Sequence, residues 1–326
     1  MDATDLKILL TDYVHHDLLE GLRSEGVHVT YAPEASSEML AEWLSSFDGI
    51  IVNTRTPVRA GILNANPQLR LVGRLGVGLD IIDMDEAVRR GIHVVHTPGA
   101  NANAVAEHCM GMLLGLLRHI PRANAEVKAG SWYREKNRGV EAEGLTIGII
   151  GFGHTGSAFA RKFAGWKTEI VAYDKYKTHY AGDLRFVQET TLEEVVRRSD
   201  VISLHVPLTD ETRAMVDARF LSRCRRGVVL INASRGQVVD TRALVDALAE
   251  GQVGGVCLDV LERENPAQRT EEDKEIYRRL FALDQVVLTP HIAGWTHGAK
   301  RQIARQMLAG IRAWMAHQKG ARGSVR

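Results

Sequence analysis

Short apolar runs alternate with amphipathic stretches along nearly the whole chain, a pattern that predicts strands and helices taking turns. Such alternation argues for an α/β fold built on parallel sheets. In the first third, strands are expected at Lys7–Thr11, Val27–Tyr31, Gly49–Val52, Leu71–Leu75 and His93–His96. Helices fit between them at His16–Glu25, Ser37–Ser46 and Met84–Arg90, which completes one open α/β unit. Asn103–His119 then reads as a helix that is apolar or small on nearly every side, so it must be buried on more than one face. It is expected to bridge two domains and to contribute to a subunit interface; a central core helix of a monomer is the alternative. A second α/β unit follows, with strands at Thr146–Ile150, Glu169–Tyr173, Val201–His205, Gly227–Asn232, Gly255–Asp259 and Val286–Thr289. Thr296–His317 has the spacing of a long amphipathic helix, and the small, basic residues Lys319–Arg326 are expected to fray.

The second unit opens with the most specific local signal. The strand Thr146–Ile150 runs into Gly151-Phe152-Gly153-His154-Thr155-Gly156, a helix follows, and the next strand ends on Asp174. Each part suits a dinucleotide. Gly151 permits a tight turn, Gly153 lets backbone approach a pyrophosphate, and Gly156 lets the helix lie close on the strand. The helix N-terminus offers unpaired N–H groups and a positive dipole end to the phosphates. Asp174 stands about 20 residues beyond the turn, where a carboxylate can accept from both ribose hydroxyls. That acid favours NAD; Lys175 beside it could attract a 2′-phosphate, but repulsion by Asp174 should win.

Composition narrows the class. The chain has 326 residues, 45% hydrophobic and 25% charged, as in an ordinary globular protein of about two domains. A net charge of +1 gives no bulk attraction to nucleic acid or to an anionic membrane. No apolar run approaches the ~20 residues of a membrane span, and Met1–Leu10 lacks the pattern of a signal peptide. The three cysteines, Cys109, Cys224 and Cys257, have no metal-ligand spacing and suit reduced, buried thiols. The expectation is a cytoplasmic protein with no metal, no nucleic-acid partner and no membrane partner.

Three residues at strand ends of the second unit suit hydride transfer to a carbonyl: Arg235, Glu264 and His291. As a hydride reaches the carbonyl carbon, the oxygen becomes alkoxide-like and needs a proton, which a histidine near neutral pKa can supply and recover. A carboxylate beside that imidazole orients it and favours its acid form. A guanidinium can polarise the carbonyl and grip a neighbouring carboxylate. Singly, each has a plain reading as a surface ion pair, a solvated loop or a turn residue. Their joint occurrence beside a dinucleotide turn gives them weight.

Over nearly its full length the chain resembles the NAD-dependent D-2-hydroxyacid dehydrogenases. The matching stretches are Gly73–Asp80, Ala104–His108, Gly151–Gly156, His205–Thr209, Asn232–Gly236, Leu258–Val260 and Thr289–Gly294. The resemblance implies two doubly wound, Rossmann-like domains, with the NAD domain (101–292) inserted into a substrate domain (1–100 and 293–326). It implies Arg235, Glu264 and His291 as the catalytic set, and Arg235 and His291 also beside the cofactor. It assigns His154 and Thr155 to the pyrophosphate, Val206 and Pro207 to the adenosine side, and Ala233, Ser234, Asp259 and Gly294 to the nicotinamide. The backbone around Val77 and Gly78 would hold the substrate carboxylate. Members of the family typically read Glu-Pro where this chain reads Glu264-Asn265-Pro266. Glu264 keeps the five-residue offset from Asp259 and Glu262 does not, so Glu264 takes the role. Formate dehydrogenases of the superfamily are expected to carry Gln there, which argues against formate.

Arg74 is similar to an arginine of phosphoglycerate dehydrogenases, and the run Arg134–Arg138 is similar to a basic stretch of those enzymes; Arg55 could also face the substrate. These cations would suit a phosphate or a second carboxylate. The sequence reading is therefore an NAD-dependent oxidoreductase acting at C2 of a small D-2-hydroxy acid, with 3-phosphoglycerate, hydroxypyruvate and glyoxylate as candidates. Domain closure is expected to exclude water, and a homodimer is expected. The alternative is an NAD(H)-sensing protein like the corepressors that share this fold.

Overall fold

The computed structural model describes residues 6–35, 39 and 42–323, so part of the predicted helix Ser37–Ser46 lies outside the described residues; within it, Leu44–Ser46 forms a 3-10 turn. The chain divides into two compact units, Met1–Asn101 with Thr296–Arg326 and Ala102–Trp295.

The first unit carries a five-stranded parallel sheet: β1 (Lys7–Leu10), β2 (His28–Tyr31), β3 (Gly49–Val52), β4 (Leu71–Arg74) and β5 (His93–His96). Their order is β2-β1-β3-β4-β5, with Ile8 opposite Gly49 and Gly49 opposite Leu71. Alternate side chains of β1 serve opposite faces, as the pleat requires. Ile8 and Leu10 pack with Leu18, Leu22, Met307, Ile311 and Trp314 from the helices His16–Ser24 and His297–Gly323. Leu9 packs with Leu63, Val72 and Ala87 on the other side. Each fully buried aliphatic side chain in these layers contributes about 1.5–3 kcal/mol. The terminal helix runs on to Gly323, past the point where fraying is expected, and 324–326 lie outside the described residues.

The second unit carries seven parallel strands: β6 (Thr146–Ile150), β7 (Glu169–Tyr173), β8 (Val187–Glu189), β9 (Val201–Leu204), β10 (Val228–Asn232), β11 (Val253–Leu258) and β12 (Val286–Leu288). The order β12-β11-β10-β9-β6-β7-β8 makes β6 and β9 neighbours where the winding reverses, the point at which such sheets bind ligands beyond their carboxyl ends. The helix Ala102–Leu117 opens this unit. Its Cys109, Met112, Leu113 and Leu116 pack with Ile147, Ile149, Ile231 and Cys257 on one face of the sheet. The opposite face is covered by Val195, Leu221, Leu244, Leu248 and Leu280 of four further helices. The charged segment 267–283 folds as the helix Glu271–Phe281, started by a Thr270/Asp273 capping box. The helices Ala60–Ala65 and Ile120–Lys128 and strand β8 have no counterpart in the sequence reading, and the helices Leu192–Arg198, Ala218–Arg223, Thr241–Ala249 and Glu271–Phe281 follow its strand–helix alternation without having been placed.

Candidate active site

The glycine turn shows why glycines stand there. Gly151 follows β6 with φ +89°, and a Cβ on it would fall 2.4 Å from the His205 carbonyl oxygen. A Cβ on Gly156 would fall 2.1 Å from the Gly151 carbonyl oxygen, so only glycine lets the helix His154–Arg161 sit against the turn. A Cβ on Gly153 would meet nothing within 4 Å, which leaves the backbone open to a ligand. Gly153 caps this helix without a side-chain hydrogen bond, so its first N–H groups, those of His154 and Thr155 among them, offer a positive end to an anion. Asp174, next after β7, accepts from the Phe152 N–H (2.8 Å) and the Tyr176 N–H (3.0 Å), which ties the acid to the turn. Val206 and Pro207 follow β9, and Lys175 is ion-paired with Glu211. Turn, open helix end and acid fit a dinucleotide. His205 beside them bonds Ser203 Oγ through Nε2 at 2.9 Å; burial pushes its pKa down to about 3, so it stays neutral and is no proton carrier at neutral pH.

The ends of β10, β11 and β12 bring the three candidate side chains, Arg235, Glu264 and His291, onto one rim. After β10, Asn232 Oδ1 accepts from the Ser234 N–H (3.0 Å) and hydroxyl (2.8 Å), while its Nδ2 donates to the Arg235 carbonyl (2.9 Å). This turn fixes Ala233, Ser234 and Arg235, and the Arg235 Nη1 donates to the Ser234 carbonyl at 2.8 Å. A Cβ on Gly236 would lie 1.9 Å from the Leu261 carbonyl oxygen, so the Arg235 loop is pressed against the strand exit that leads to Glu264. After β12, His291 adopts φ +56°, a conformation rare for a side-chain-bearing residue and held here by its surroundings. Its Nδ1 meets the two Glu264 oxygens at 2.9 and 3.1 Å, with both side chains about half exposed. Glu264's hydrogen bond raises the His291 pKa; partial burial opposes this, the Glu264 and Asp259 charges add to it, and the Arg235 cation reduces it. Glu262 is engaged elsewhere, accepting from the Thr241 hydroxyl at 2.8 Å.

Asp259 is the buried hub of this rim, its side chain 1% exposed. Its Oδ1 accepts from the Thr289 hydroxyl (2.6 Å) and the Ile292 N–H (2.8 Å), and its Oδ2 from the Ala293 N–H (2.8 Å). Both oxygens are thus committed to the loop that carries His291 and Gly294, a structural role the sequence does not reveal. The same is true of His108, whose Nε2 lies 2.8 Å from the Thr289 hydroxyl. Residues 181 apart in sequence gave no signal of that contact. The three thiols are buried, and burial lifts those of Cys109 and Cys224 to about 12, which makes them poor nucleophiles.

In the first unit, Arg74 closes strand β4. The side chain is buried, and it donates through Nε to the Gly78 carbonyl (3.1 Å) and through Nη1 to the Leu75 carbonyl (2.5 Å) and Asn53 Oδ1 (2.8 Å). It is a clamp on the 75–78 loop. Among the described residues, the amides of Val77 and Gly78 have no hydrogen-bond acceptor, and Val77 is exposed. Arg55 is exposed and donates to the Thr11 carbonyl at 2.5 Å. In the basic run, Lys136 pairs with Glu126 at 2.8 Å and Arg138 with Glu135 at 2.6 Å.

Comparison with known proteins decides the family. The model of the D-isomer specific 2-hydroxyacid dehydrogenase NAD-binding domain matches residues 110–293. The chain belongs to this family. The chain is 36% identical to a hydroxypyruvate reductase of Thermotoga maritima, over 89% of its own length and 92% of that protein. It is 34% identical to a D-3-phosphoglycerate dehydrogenase of Archaeoglobus fulgidus over 91% of its length, but spans only 55% of that relative. Among solved structures, D-lactate dehydrogenase of Aquifex aeolicus complexed with NAD and lactic acid matches with a TM-score of 0.84 at 30% identity, covering 95% of this chain and 96% of that one. The second unit is accordingly the family's NAD-binding domain, and among the described residues no helix is long and apolar enough to cross a membrane.

Proposed function

We propose that this chain is an NAD-dependent dehydrogenase that interconverts a small D-2-hydroxy acid and its 2-keto acid. The observation that carries the reading is the His291–Glu264 pair, 2.9 Å apart, on the same sheet rim as the glycine turn. Bound NAD(H) supplies or accepts the hydride at C2. Arg235 polarises the C2 carbonyl and steadies the adjoining carboxylate by charge-assisted hydrogen bonds. With its Nδ1 held by Glu264, His291 uses Nε2 to give a proton to the C2 oxygen in reduction and to take it back in oxidation. Glu264 keeps the imidazole oriented and favours its protonated form. Ala233, Ser234 and Gly294 line the nicotinamide end, Asp259 supports it from behind, and Asp174 takes the ribose. The first unit serves as the substrate domain, and the unpaired amides of Val77 and Gly78 receive the substrate carboxylate.

The commitment of Arg74, Lys136 and Arg138 to neighbours favours unphosphorylated acids of the hydroxypyruvate and glyoxylate class over 3-phosphoglycerate. A homodimer is supported by Ile120, Val127, Trp132, Tyr133 and Val140, apolar residues close in sequence that are each at least half exposed. Sedimentation velocity giving a monomer at micromolar concentration would refute that assembly. Three free buried thiols suit the reducing cytoplasm. The test of the activity is NADH oxidation against hydroxypyruvate, glyoxylate, pyruvate and phosphohydroxypyruvate. Turnover of hydroxypyruvate or glyoxylate is expected, and binding of NADH without turnover of any of the four would overturn the reading.

A further inference from the structure

We propose that His108 is a positioning residue for His291, acting through Thr289 and Asp259; the inference rests on reading His291 as the proton carrier. The Thr289 hydroxyl has one proton, and at 2.6 Å from Asp259 Oδ1 that proton points to the carboxylate. Met112 Sδ, at 3.6 Å, is the weaker acceptor for that proton, so the hydroxyl oxygen is left to accept from His108 Nε2, 2.8 Å away, which carries a proton and donates it. The same nitrogen lies 3.5 Å from Asp259 Oδ1. The helix Ala102–Leu117 thus reaches across to the ends of β11 and β12 and closes a chain of polar contacts under the His291 loop.

That chain ends on backbone. Asp259 receives the Ile292 and Ala293 amides through its carboxylate, and its carbonyl receives the His291 N–H at 2.7 Å. His291 sits at φ +56° with these bonds on both sides of it, so its unusual backbone is fixed by Asp259. A carboxylate that is 1% exposed depends on every donor it has, because water cannot replace one that is lost. When His108 no longer donates, the bond that holds the Thr289 hydroxyl oriented toward Asp259 is gone, its proton can swing to Met112 Sδ, and the loop that aims the imidazole at Glu264 loosens. His108 touches no reacting atom; its effect runs through the loop.

Two variants cut the relay at different points, and a third restores it. His108→Leu removes the donor while keeping a side chain of comparable bulk, and Thr289→Val removes the hydroxyl. His108→Gln replaces the donor at the position of Nε2. With NADH and hydroxypyruvate, His108→Leu is expected to lower kcat about tenfold, as a small misalignment of a catalytic group does. KM for both reactants should stay within about twofold, because the groups that bind them are untouched. His108→Gln should recover most of the rate, and the double variant His108→Leu/Thr289→Val should be no slower than the slower single one. Histidine NMR titration reads the loop without turnover. The groups facing His291 are Glu264, Asp259 and Arg235, all unchanged in these variants, so a loosened loop should lower the His291 pKa in His108→Leu and Thr289→Val. His291→Gln identifies the resonance. An unchanged kcat and an unchanged His291 titration in His108→Leu would overturn the proposal, as would additive effects in the double variant or failure of Gln to rescue. Failure of the underlying reading looks different: wild type would turn over no 2-keto acid, or His291→Gln would keep full turnover.

Discussion

Replacing Gly156 by alanine tests the physical basis of the dinucleotide site. The added Cβ would stand 2.1 Å from the Gly151 carbonyl oxygen, and ordinary contact begins at 3.4 Å, so turn and helix must part by about 1.3 Å (3.4 − 2.1). No flexible side chain can yield, because the obstacle is backbone. The turn is itself pinned, since Gly151 has φ +89° and the His205 carbonyl lies against it. Overpacking of this kind costs about 1–3 kcal/mol, and alanine's better helix propensity returns roughly 1 kcal/mol, leaving a net loss of about 0–2 kcal/mol. A domain of this size then melts only a few degrees lower, at about 2–4 °C per kcal/mol. The ligand effect is larger. Hydrogen bonds to a charged pyrophosphate are worth about 1.5–3 kcal/mol each, so misaligning one helix N–H weakens NADH about 10- to 100-fold. Fluorescence titration with NADH, alongside melting of the free protein, separates the two effects. Gly153→Ala gives the contrast: its Cβ meets no protein atom, so the free protein should melt near the wild type while NADH binding still weakens. NADH affinity within about twofold of wild type in both variants would refute the account of the turn.

Other outcomes follow from the same geometry. Reduction of a keto acid needs protonated His291, so its rate falls as pH rises through a pKa that Glu264 holds up. Glu264→Gln should therefore move the alkaline limb of kcat/KM for reduction to lower pH, whereas Glu262→Gln, which disturbs only the Thr241 contact, should leave the limb in place; equal shifts in the two would refute the assignment. The folding contribution of the pair has the same sign, being complete below the unfolded histidine pKa and lost as pH rises through the folded one. Arg74→Leu should raise KM for the keto acid and leave NADH affinity unchanged, since its bonds to the Leu75 and Gly78 carbonyls hold the 75–78 loop of the first unit. A lower affinity for NADH alone would contradict that role.

Much of this molecule is legible in its sequence, and the parts that are not share a cause. Strands β3, β6 and β7 lie where the apolar runs place them, because buried parallel strands write continuous hydrophobic stretches. The helix Ile120–Lys128 has no buried residue: its few apolar side chains, Ile120 and Val127 among them, share a face that stays half exposed, too short a stripe to mark a core-facing helix. Strand β8 is three residues at a sheet edge, too short for a period to register. Arg235, Glu264 and His291 are visible because each follows a strand at a characteristic spot. The burial of Arg74, the hub role of Asp259 and the contact of His108 with Thr289 depend on which loops meet in space. A local pattern carries no such information, and an arginine at a strand end reads as a surface or ligand-facing cation until its neighbours are known.

The central claim is that His291, paired with Glu264, moves the proton at C2. It is tested most directly by His291→Gln, assayed for NADH oxidation with each 2-keto acid the wild type accepts, with NADH affinity measured in parallel. His291→Gln should lose turnover by several orders of magnitude while NADH still binds normally. Retained turnover in a folded variant would contradict it.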